Sequence, residues 1–222
     1  MVKHDTLPYV VLNAAMSLDG KIATAVGESK LSSPEDLKRV HRLRASVDAI
    51  MVGLGTLLAD DPKLIVRPGI GRNPRRVIVD SRARTPLGAY VVRSASQTPT
   101  VIAVTSRASE RKVKELEEAG TTVLTCGRGP KVSLRLLLTR LRKMGVRRIL
   151  LEGGGTLNWS MASQGLVDEI SVAISPRLLG GANAITLAEG QGVRRIEEAV
   201  KLRLMDAREY GGDLVVRYRV LG

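Results

Sequence analysis

The segment formed by residues 147–159 constrains the fold more than any other part of the sequence. Its apolar run, residues 149–151, is typical of a buried strand, and residues 156–163 have helical character. Glu152 and three consecutive glycines lie between them. Glycine permits a tight turn and a close approach to a ligand, and the first N–H groups of a helix attract anions. The plain alternative is a turn that only joins strand to helix, but three glycines exceed what such a turn needs.

Strands and helices alternate through most of the chain. Ser33 and Ser133 stand at helix N-cap positions, and the Gly211-Gly212 pair predicts the turn of a hairpin. The predicted strands cover residues 9–15, 49–52, 76–79, 101–104, 121–125, 149–151, 167–174, 202–208 and 214–220. This pattern predicts an α/β fold with a mainly parallel central sheet flanked by helices and a C-terminal antiparallel hairpin. No repeat, linker or low-complexity tract interrupts it, so we expect a single domain over residues 1–222.

The formal net charge of +13 is compatible with three kinds of partner: nucleic acid, an anionic membrane surface or phosphorylated small molecules. The basic residues are scattered, and one Trp and four Tyr provide few surfaces on which bases could stack. No apolar run is long enough to span a membrane, and no signal-peptide core is present. We therefore expect a cytoplasmic protein that binds phosphate-bearing small molecules, and neither nucleic acid nor membranes; a basic nucleic-acid-binding protein is the alternative from another class.

Metal-dependent and nucleophilic chemistry find little support in the sequence. Cys126 is the single cysteine, and His4 and His41 lack the spacing of metal ligands, so we expect no metal site. His41 falls within a predicted helix, where a surface or half-packed role is expected. We assign no catalytic residue, because no nucleophile–base pair is evident. A site that binds phosphate but has no nucleophile indicates that a bound cofactor supplies the reacting group, and hydride transfer from a nicotinamide fits this description.

Polar residues follow several of the predicted strands. The carboxyl ends of parallel strands meet at one edge of a sheet, where such side chains build one cleft. Thr105, Ser106 and Arg107 lie at a strand end that we expect to lead directly into a helix, which suits the 2′-phosphate of NADP. The basic chain and this strand end predict a preference for NADPH over NADH, and the plain alternative for this strand end is a capped helix with a solvent-exposed arginine. The strand ends in question are Asp19-Gly20, residues 56–61, Asp80-Ser81, Thr105-Ser106-Arg107 and Glu152-Gly153-Gly154.

Several short motifs together resemble the riboflavin-biosynthesis reductase family. That family comprises the C-terminal reductase domain of the bacterial bifunctional deaminase-reductase and stand-alone archaeal and fungal relatives. The resemblance extends from about Tyr9 to the C-terminus. The motifs are Ala15-Met16-Ser17-Leu18-Asp19-Gly20-Lys21, Gly27-Glu28-Ser29-Lys30, Arg42-Leu43-Arg44, Val52-Gly53, Thr56-Leu57-Leu58-Ala59-Asp60-Asp61-Pro62, Leu64 with Arg67, and Glu152-Gly153-Gly154-Gly155-Thr156-Leu157.

The resemblance implies a dihydrofolate-reductase-like fold, NADPH as donor, a homodimer, and a phosphoribosylaminopyrimidine whose opened ribose is reduced at C1. By motif, the implied cofactor contacts are Ala15, Thr56, Asp60, Ser81, Gly154, Gly155, Thr156 and Leu157. The implied substrate contacts are Ser29, Lys30, Arg44, Leu64, Arg67 and Glu152. Bacterial members often place a Trp and an extra residue after the motif Ser, whereas Leu31 and Ser32 stand here.

Arg44 and Arg67 are the expected ligands of the substrate phosphate, since guanidinium groups bind oxyanions in a planar, bidentate manner. An arginine on the inner side of a helix also needs an anionic partner. No zinc deaminase signature is present, which favours the order in which reduction precedes deamination and 2,5-diamino-6-ribosylamino-4(3H)-pyrimidinone 5′-phosphate as the substrate. The alternatives are 5-amino-6-(5-phosphoribosylamino)uracil as substrate, or a pteridine or dihydrofolate reductase of the same fold.

Overall fold

The computed structural model describes residues 6–221, and His4 lies outside them. Within these residues the strands are β1 (Tyr9–Ser17), β2 (Ala49–Gly53), β3 (Arg75–Val79), β4 (Thr100–Val104), β5 (Thr122–Thr125), β6 (Arg148–Leu151), β7 (Glu169–Ser175), β8 (Leu202–Tyr210) and β9 (Asp213–Val220). The α-helices are α1 (Pro34–Ala45), α2 (Leu54–Asp60), α3 (Tyr90–Arg93), α4 (Glu110–Glu118), α5 (Leu134–Lys143) and α6 (Gly155–Ala162), and Ile196–Glu198 forms a 3₁₀ turn.

The chain divides into two compact units. Among residues 6–221, the first unit contains residues 6–9 together with His41–Leu150, and the second contains Val10–Val40 and residues 151–221. A single domain over residues 1–222 stays a prediction.

The first unit is built on strands in the order β5-β4-β3-β2-β6. The β2–β3, β3–β4 and β4–β5 pairs are parallel, as the alternation of strands and helices predicts. Ile50, Ile78 and Ile102 on the central strands are completely buried. Such continuous apolar runs are characteristic of parallel strands that are covered on both faces.

The second unit is built on strands in the order β1-β7-β9-β8. β1 and β7 are parallel, whereas β7–β9 and β8–β9 are antiparallel, which confirms the C-terminal hairpin. Gly211 and Gly212 connect β8 to β9 with φ angles of 59° and 89°, and glycine adopts such angles without strain.

Helix α1 is anchored by Asp36, whose carboxylate accepts from Arg39 Nε at 2.7 Å, while the Arg39 guanidinium also donates to Ser171 and Asn13.

Asp19, a polar residue after β1, supports the backbone of the second unit. Its carboxylate accepts hydrogen bonds from the Ser17 hydroxyl at 2.6 Å and from the backbone N–H groups of Leu179 and Gly180 at 3.0 and 2.7 Å. These bonds, led by the one from Ser17, lower the pKa of Asp19 to about 2. Asp19 therefore joins the end of β1 to the segment that follows β7.

No helix within residues 6–221 has the length and apolar character needed to cross a membrane.

Candidate functional site

A cavity of about 260 Å³ lies in the first unit between the C-terminal half of α1 and the segment 62–68. His41 and Arg44 contribute from the helix, and Lys63, Leu64 and Arg67 contribute from the segment. The structure thus brings together the three first-unit residues predicted to bind substrate: Arg44, Leu64 and Arg67. Lys63 adds a third cation that the sequence analysis missed. Three cationic residues beside one cavity are compatible with an anionic group such as a phosphate, while the Lys63 ammonium lies over the Tyr90 ring, 5.5 Å from its centre.

The segment 62–68 has an unusual backbone that several side chains hold in place. Leu64 is buried with φ = 50°, a left-handed conformation that is strained for a leucine. Asn73 Oδ1 accepts from the Val66 N–H at 2.9 Å, and Arg44 Nη1 donates to the Ile65 carbonyl at 3.2 Å. His41 Nδ1 accepts from the Arg67 N–H at 3.2 Å. We expected Arg44 to be buried and therefore to need an anionic partner. In the structure Arg44 is only half-buried, and its guanidinium donates to the Ile65 carbonyl.

Arg76 is a completely buried arginine on β3. Its guanidinium donates to the hydroxyls of Thr100 and Ser94 at 2.9 and 2.8 Å. It also donates to the carbonyl oxygens of Val91, Ser94 and Thr98 at 2.7–3.1 Å, with a longer contact of 3.5 Å to the Lys63 carbonyl. Burial lowers the pKa of Arg76 to about 10, so the group is still charged at neutral pH. Arg76 therefore fixes the segment around α3 and reaches the backbone beside the cavity.

Helix α2 contains two of the predicted cofactor contacts. Thr56 is half-buried and Asp60, in the last turn, is exposed. Asp61 caps the helix in a left-handed conformation, and its Oδ1 accepts from the Tyr90 N–H at 2.8 Å. Asp61 thus joins the end of α2 to the start of α3.

Ser81 and Thr105 follow the neighbouring strands β3 and β4 and are in direct contact. The buried Thr105 hydroxyl donates to the Ser81 carbonyl at 3.0 Å, and Ser81 Oγ accepts from the Val132 N–H at 3.1 Å. Ser106 is exposed, and its N–H donates to the Gly127 carbonyl at 2.9 Å. These bonds join the ends of β3, β4 and β5 at the edge where ligands of parallel sheets bind.

Arg107 does not begin a helix, and this expectation was wrong. Thr105 Oγ1 accepts from the Arg107 N–H at 3.3 Å and forms a local turn, so that α4 begins only at Glu110 after the N-cap Ser109. Arg107 is exposed, and its Nε donates to the Arg128 carbonyl at 3.3 Å. Its candidacy for the 2′-phosphate therefore depends on its own charge and not on a helix N-terminus.

The glycine turn of the second unit joins β6 to α6, as predicted. Gly153 has φ = 93°, and a Cβ at this position would press against the Asn158 amide. Gly155 is buried, and a Cβ there would collide with the Thr186 carbonyl oxygen and the Glu189 side chain. Two of the three glycines are therefore required by contacts within the chain itself. This packing was not evident from the sequence, because residues 186–189 lie far along the chain.

Helix α6 begins directly after the glycine turn. Gly154 caps α6 without a side-chain hydrogen bond, and the first turn contains no acidic residue. The Thr186 carbonyl oxygen and the Glu189 side chain lie beside Gly155 at the start of this helix.

The remaining predicted contacts lie in the second unit. Half-buried Glu152 precedes the glycine turn, and Thr156 and Leu157 occupy the first turn of α6, one exposed and the other buried. Ala15 is half-buried on β1 in register with Ala173 of β7, and Ser29 and Lys30 are exposed between β1 and α1. Among residues 6–221 there is no group of three or more His, Cys, Asp or Glu side chains arranged to hold a metal ion.

Comparison with solved structures identifies the class of fold. The chain aligns with dihydrofolate reductase from Enterococcus faecalis over 96% of its length and 97% of that chain, with a TM-score of 0.54 at 12% identity, which establishes a shared fold. With RibD from Acinetobacter baumannii the TM-score rises to 0.83 at 28% identity, over 97% of this chain and 58% of that one. The fold is thus dihydrofolate-reductase-like, as the resemblance implied.

The chain belongs to the RibD C-terminal domain family, whose model matches residues 8–216. A relative from Methanothermobacter thermautotrophicus, named 2,5-diamino-6-ribosylamino-4(3H)-pyrimidinone 5′-phosphate reductase, is 50% identical over 97% of this chain and 99% of its own length. The predicted class of enzyme, an oxidoreductase, is confirmed by this relationship. Reductases of this fold imply a nicotinamide cofactor.

Proposed function

We propose that the protein reduces the ribosylamino group of 2,5-diamino-6-ribosylamino-4(3H)-pyrimidinone 5′-phosphate to a ribitylamino group, with NADPH as hydride donor. The observation that carries this proposal is the cavity lined by Arg44, Lys63 and Arg67, which suits the phosphate of such a substrate. The name of the Methanothermobacter relative supports the same substrate. The cytoplasmic location expected from the sequence belongs to this proposal.

The roles of the residues follow from their chemistry. Arg44 and Arg67 bind the phosphate, with Leu64 as the apolar wall and Ser29 and Lys30 as further substrate contacts. Glu152 accepts hydrogen bonds from hydroxyls of the opened ribose. NADPH supplies the hydride that C1 receives, and the protein contributes mainly by holding donor and acceptor in reactive geometry.

The proposed cofactor contacts are found in each of the two units. Thr56 and Asp60 on α2, Ala15 on β1, and Ser81 with Thr105 at the ends of β3 and β4 are proposed to contact the cofactor. The glycine turn, Gly154 to Leu157, binds the pyrophosphate through backbone N–H groups. Ser106 and Arg107 contact the 2′-phosphate.

A binding titration tests this proposal against the alternative of a basic nucleic-acid-binding protein. NADPH fluorescence and an unrelated labelled oligonucleotide are titrated with the protein at low and at high salt. Our proposal predicts saturable NADPH binding that survives high salt. Binding of the oligonucleotide alone, with a steep loss of affinity as salt rises, would instead favour the nucleic-acid-binding protein.

Arg107→Ala is expected to weaken the binding of NADPH more than that of NADH, since only NADPH carries the 2′-phosphate. Losing a hydrogen bond between two charged groups corresponds to a roughly 10- to 150-fold increase in the Kd for NADPH. Arg111→Ala, which removes an exposed arginine from α4, is the matched control and should leave both constants unchanged. Equal losses for the two cofactors would remove Arg107 from the 2′-phosphate site.

We also propose that the protein forms a homodimer through the outer strand β8. β8 is the last strand in the order of the sheet. Two of its apolar residues are exposed: Leu204 has an exposed fraction of 57% and Leu202 of 41%. An exposed apolar edge strand is a surface that proteins usually cover. Leu204→Glu is expected to convert a dimer into a monomer in light scattering, whereas the control Ile196→Glu, at a side chain that is 88% exposed, should not. A wild-type monomer would refute this proposal.

A further inference from the structure

We propose that His41 is a positioning residue for the substrate phosphate, acting through the backbone of Arg67. The inference rests on the proposed function, because it concerns the same anion cavity. His41 is absent from the substrate and cofactor contacts that the sequence predicted, where it was expected to be only a surface or half-packed side chain. Its position in the folded chain assigns it a more specific task.

The first step of the argument is the geometry of α1. His41 and Arg44 are three residues apart, so their side chains project from the same face of the helix. Both line the cavity, and both bond to the backbone of the segment on the opposite wall. Arg44 holds the carbonyl of Ile65 at 3.2 Å, and His41 holds the N–H of Arg67 at 3.2 Å. One face of α1 therefore holds the segment 62–68 at two backbone positions. The bond from His41 is the one at Arg67, the proposed phosphate ligand.

The second step concerns the state of the imidazole. A nitrogen that accepts a hydrogen bond from a backbone N–H must carry a lone pair, so this bond forms only when Nδ1 of His41 carries no proton. The bond therefore requires neutral histidine with its proton on Nε2. Because Arg44, Lys63 and Arg67 already line the cavity, a neutral ring supplies an acceptor without adding a fourth cationic side chain.

The third step concerns Arg67, which needs a fixed backbone more than the other ligands do. Its side chain is exposed, and it follows a segment in which Asp61 and Leu64 have φ angles of 37° and 50°. Strained segments of this kind persist only where their surroundings hold them. Val66 is held by Asn73, and Arg67 is held by His41 and by the bond from Ile70 N–H to its carbonyl at 3.2 Å. Without His41, the guanidinium of Arg67 would be distributed over more positions before it meets an anion.

Three variants of α1 test this inference. His41→Ala removes the acceptor, His41→Asn places an amide oxygen close to the position of Nδ1, and Lys38→Ala removes an exposed side chain one turn earlier. We expect His41→Ala to raise KM for the phosphorylated pyrimidine by roughly 2- to 12-fold, the loss of one hydrogen bond. Its kcat, its KM for NADPH and its KM for the dephosphorylated pyrimidine should match those of the wild type. His41→Asn should restore most of the KM, and Lys38→Ala should leave it unchanged.

The possible outcomes separate this inference from the proposed function. An unchanged KM in His41→Ala, or equal losses for the phosphorylated and dephosphorylated compounds, would overturn the role of His41. Equal effects of the Ala and Asn substitutions would do the same. If the wild type oxidises no NADPH with either compound, the proposed function fails, and calorimetric titration with inorganic phosphate decides the inference. Weaker phosphate binding by His41→Ala than by wild type and His41→Asn would then support it, and equal binding by all three would refute it.

Discussion

Glu152→Gln is expected to lower kcat/KM for the pyrimidine substrate by roughly 10- to 150-fold, while the fold and the Kd for NADPH stay as in the wild type. This factor corresponds to the loss of a hydrogen bond to a charged group, about 1.5–3 kcal/mol. Glu152 directly follows β6 and precedes the glycine turn, at the edge where a parallel sheet binds its ligands. We expect its carboxylate to accept from the ribose hydroxyls, and an uncharged amide accepts those bonds more weakly.

Asp60→Asn is the matched control for Glu152→Gln, because it also replaces one carboxylate by an amide. Asp60 lies on α2 one turn after Thr56, which we assign to the cofactor, so this substitution should raise the Kd for NADPH first. Fluorescence titration with NADPH, steady-state kinetics and melting curves are measured on both variants. If Glu152→Gln weakens NADPH while Asp60→Asn spares it, the two ligands are assigned in reverse. If both only lower Tm, neither carboxylate contacts a ligand.

Arg76→Met is expected to destabilise the first unit by about 2–4 kcal/mol, the largest effect on stability that we predict. The substitution keeps an apolar stem of similar length but removes the guanidinium from the carbonyls of Val91, Ser94 and Thr98. Losing a donor at a buried acceptor costs about 1–3 kcal/mol. The total is smaller than three such losses, because the Thr100 hydroxyl also reaches the carbonyls of Val91 and Thr98, and the N–H groups of Gln97 and Thr98 donate to the Ser94 carbonyl.

Arg75→Met provides the comparison for Arg76→Met, because Arg75 is the neighbouring arginine on β3 and is only half-buried. The free energy of unfolding of the Arg75→Met variant, measured in urea, should stay within about 0.5 kcal/mol of that of the wild type. Equal denaturation midpoints for the two variants would mean that the buried network of Arg76 adds nothing to stability.

The parts of the fold that depend on local pattern could be predicted. The apolar run before Glu152 and the glycines after it indicated β6 and α6, and Gly211-Gly212 indicated the hairpin between β8 and β9. In each case the conformation is dictated by residues that are adjacent in the sequence. The same reasoning missed α3, because a helix of four residues is too short to show periodicity.

The parts of the site that depend on distant residues could not be predicted. Arg76 looked like the first residue of a strand, and nothing in its neighbourhood showed that five groups between residues 91 and 100 would accept its hydrogen bonds. The left-handed conformation of Leu64 is also invisible, since leucine gives no sign of it. The role of His41 was accessible in principle, because it is three residues from Arg44 on the same helix.

The most direct test of our account is to measure NADPH oxidation with two substrates offered separately at equal concentrations. One is 2,5-diamino-6-ribosylamino-4(3H)-pyrimidinone 5′-phosphate, and the other is 5-amino-6-(5-phosphoribosylamino)uracil, with mass spectrometry to detect the gain of two hydrogens in the product. We predict that both the oxidation of NADPH and the ribityl product appear with the diaminopyrimidinone, at a higher kcat/KM than with the uracil. A higher kcat/KM with the uracil would contradict the proposed substrate, and oxidation with neither compound, alongside reduction of dihydrofolate, would contradict the central claim.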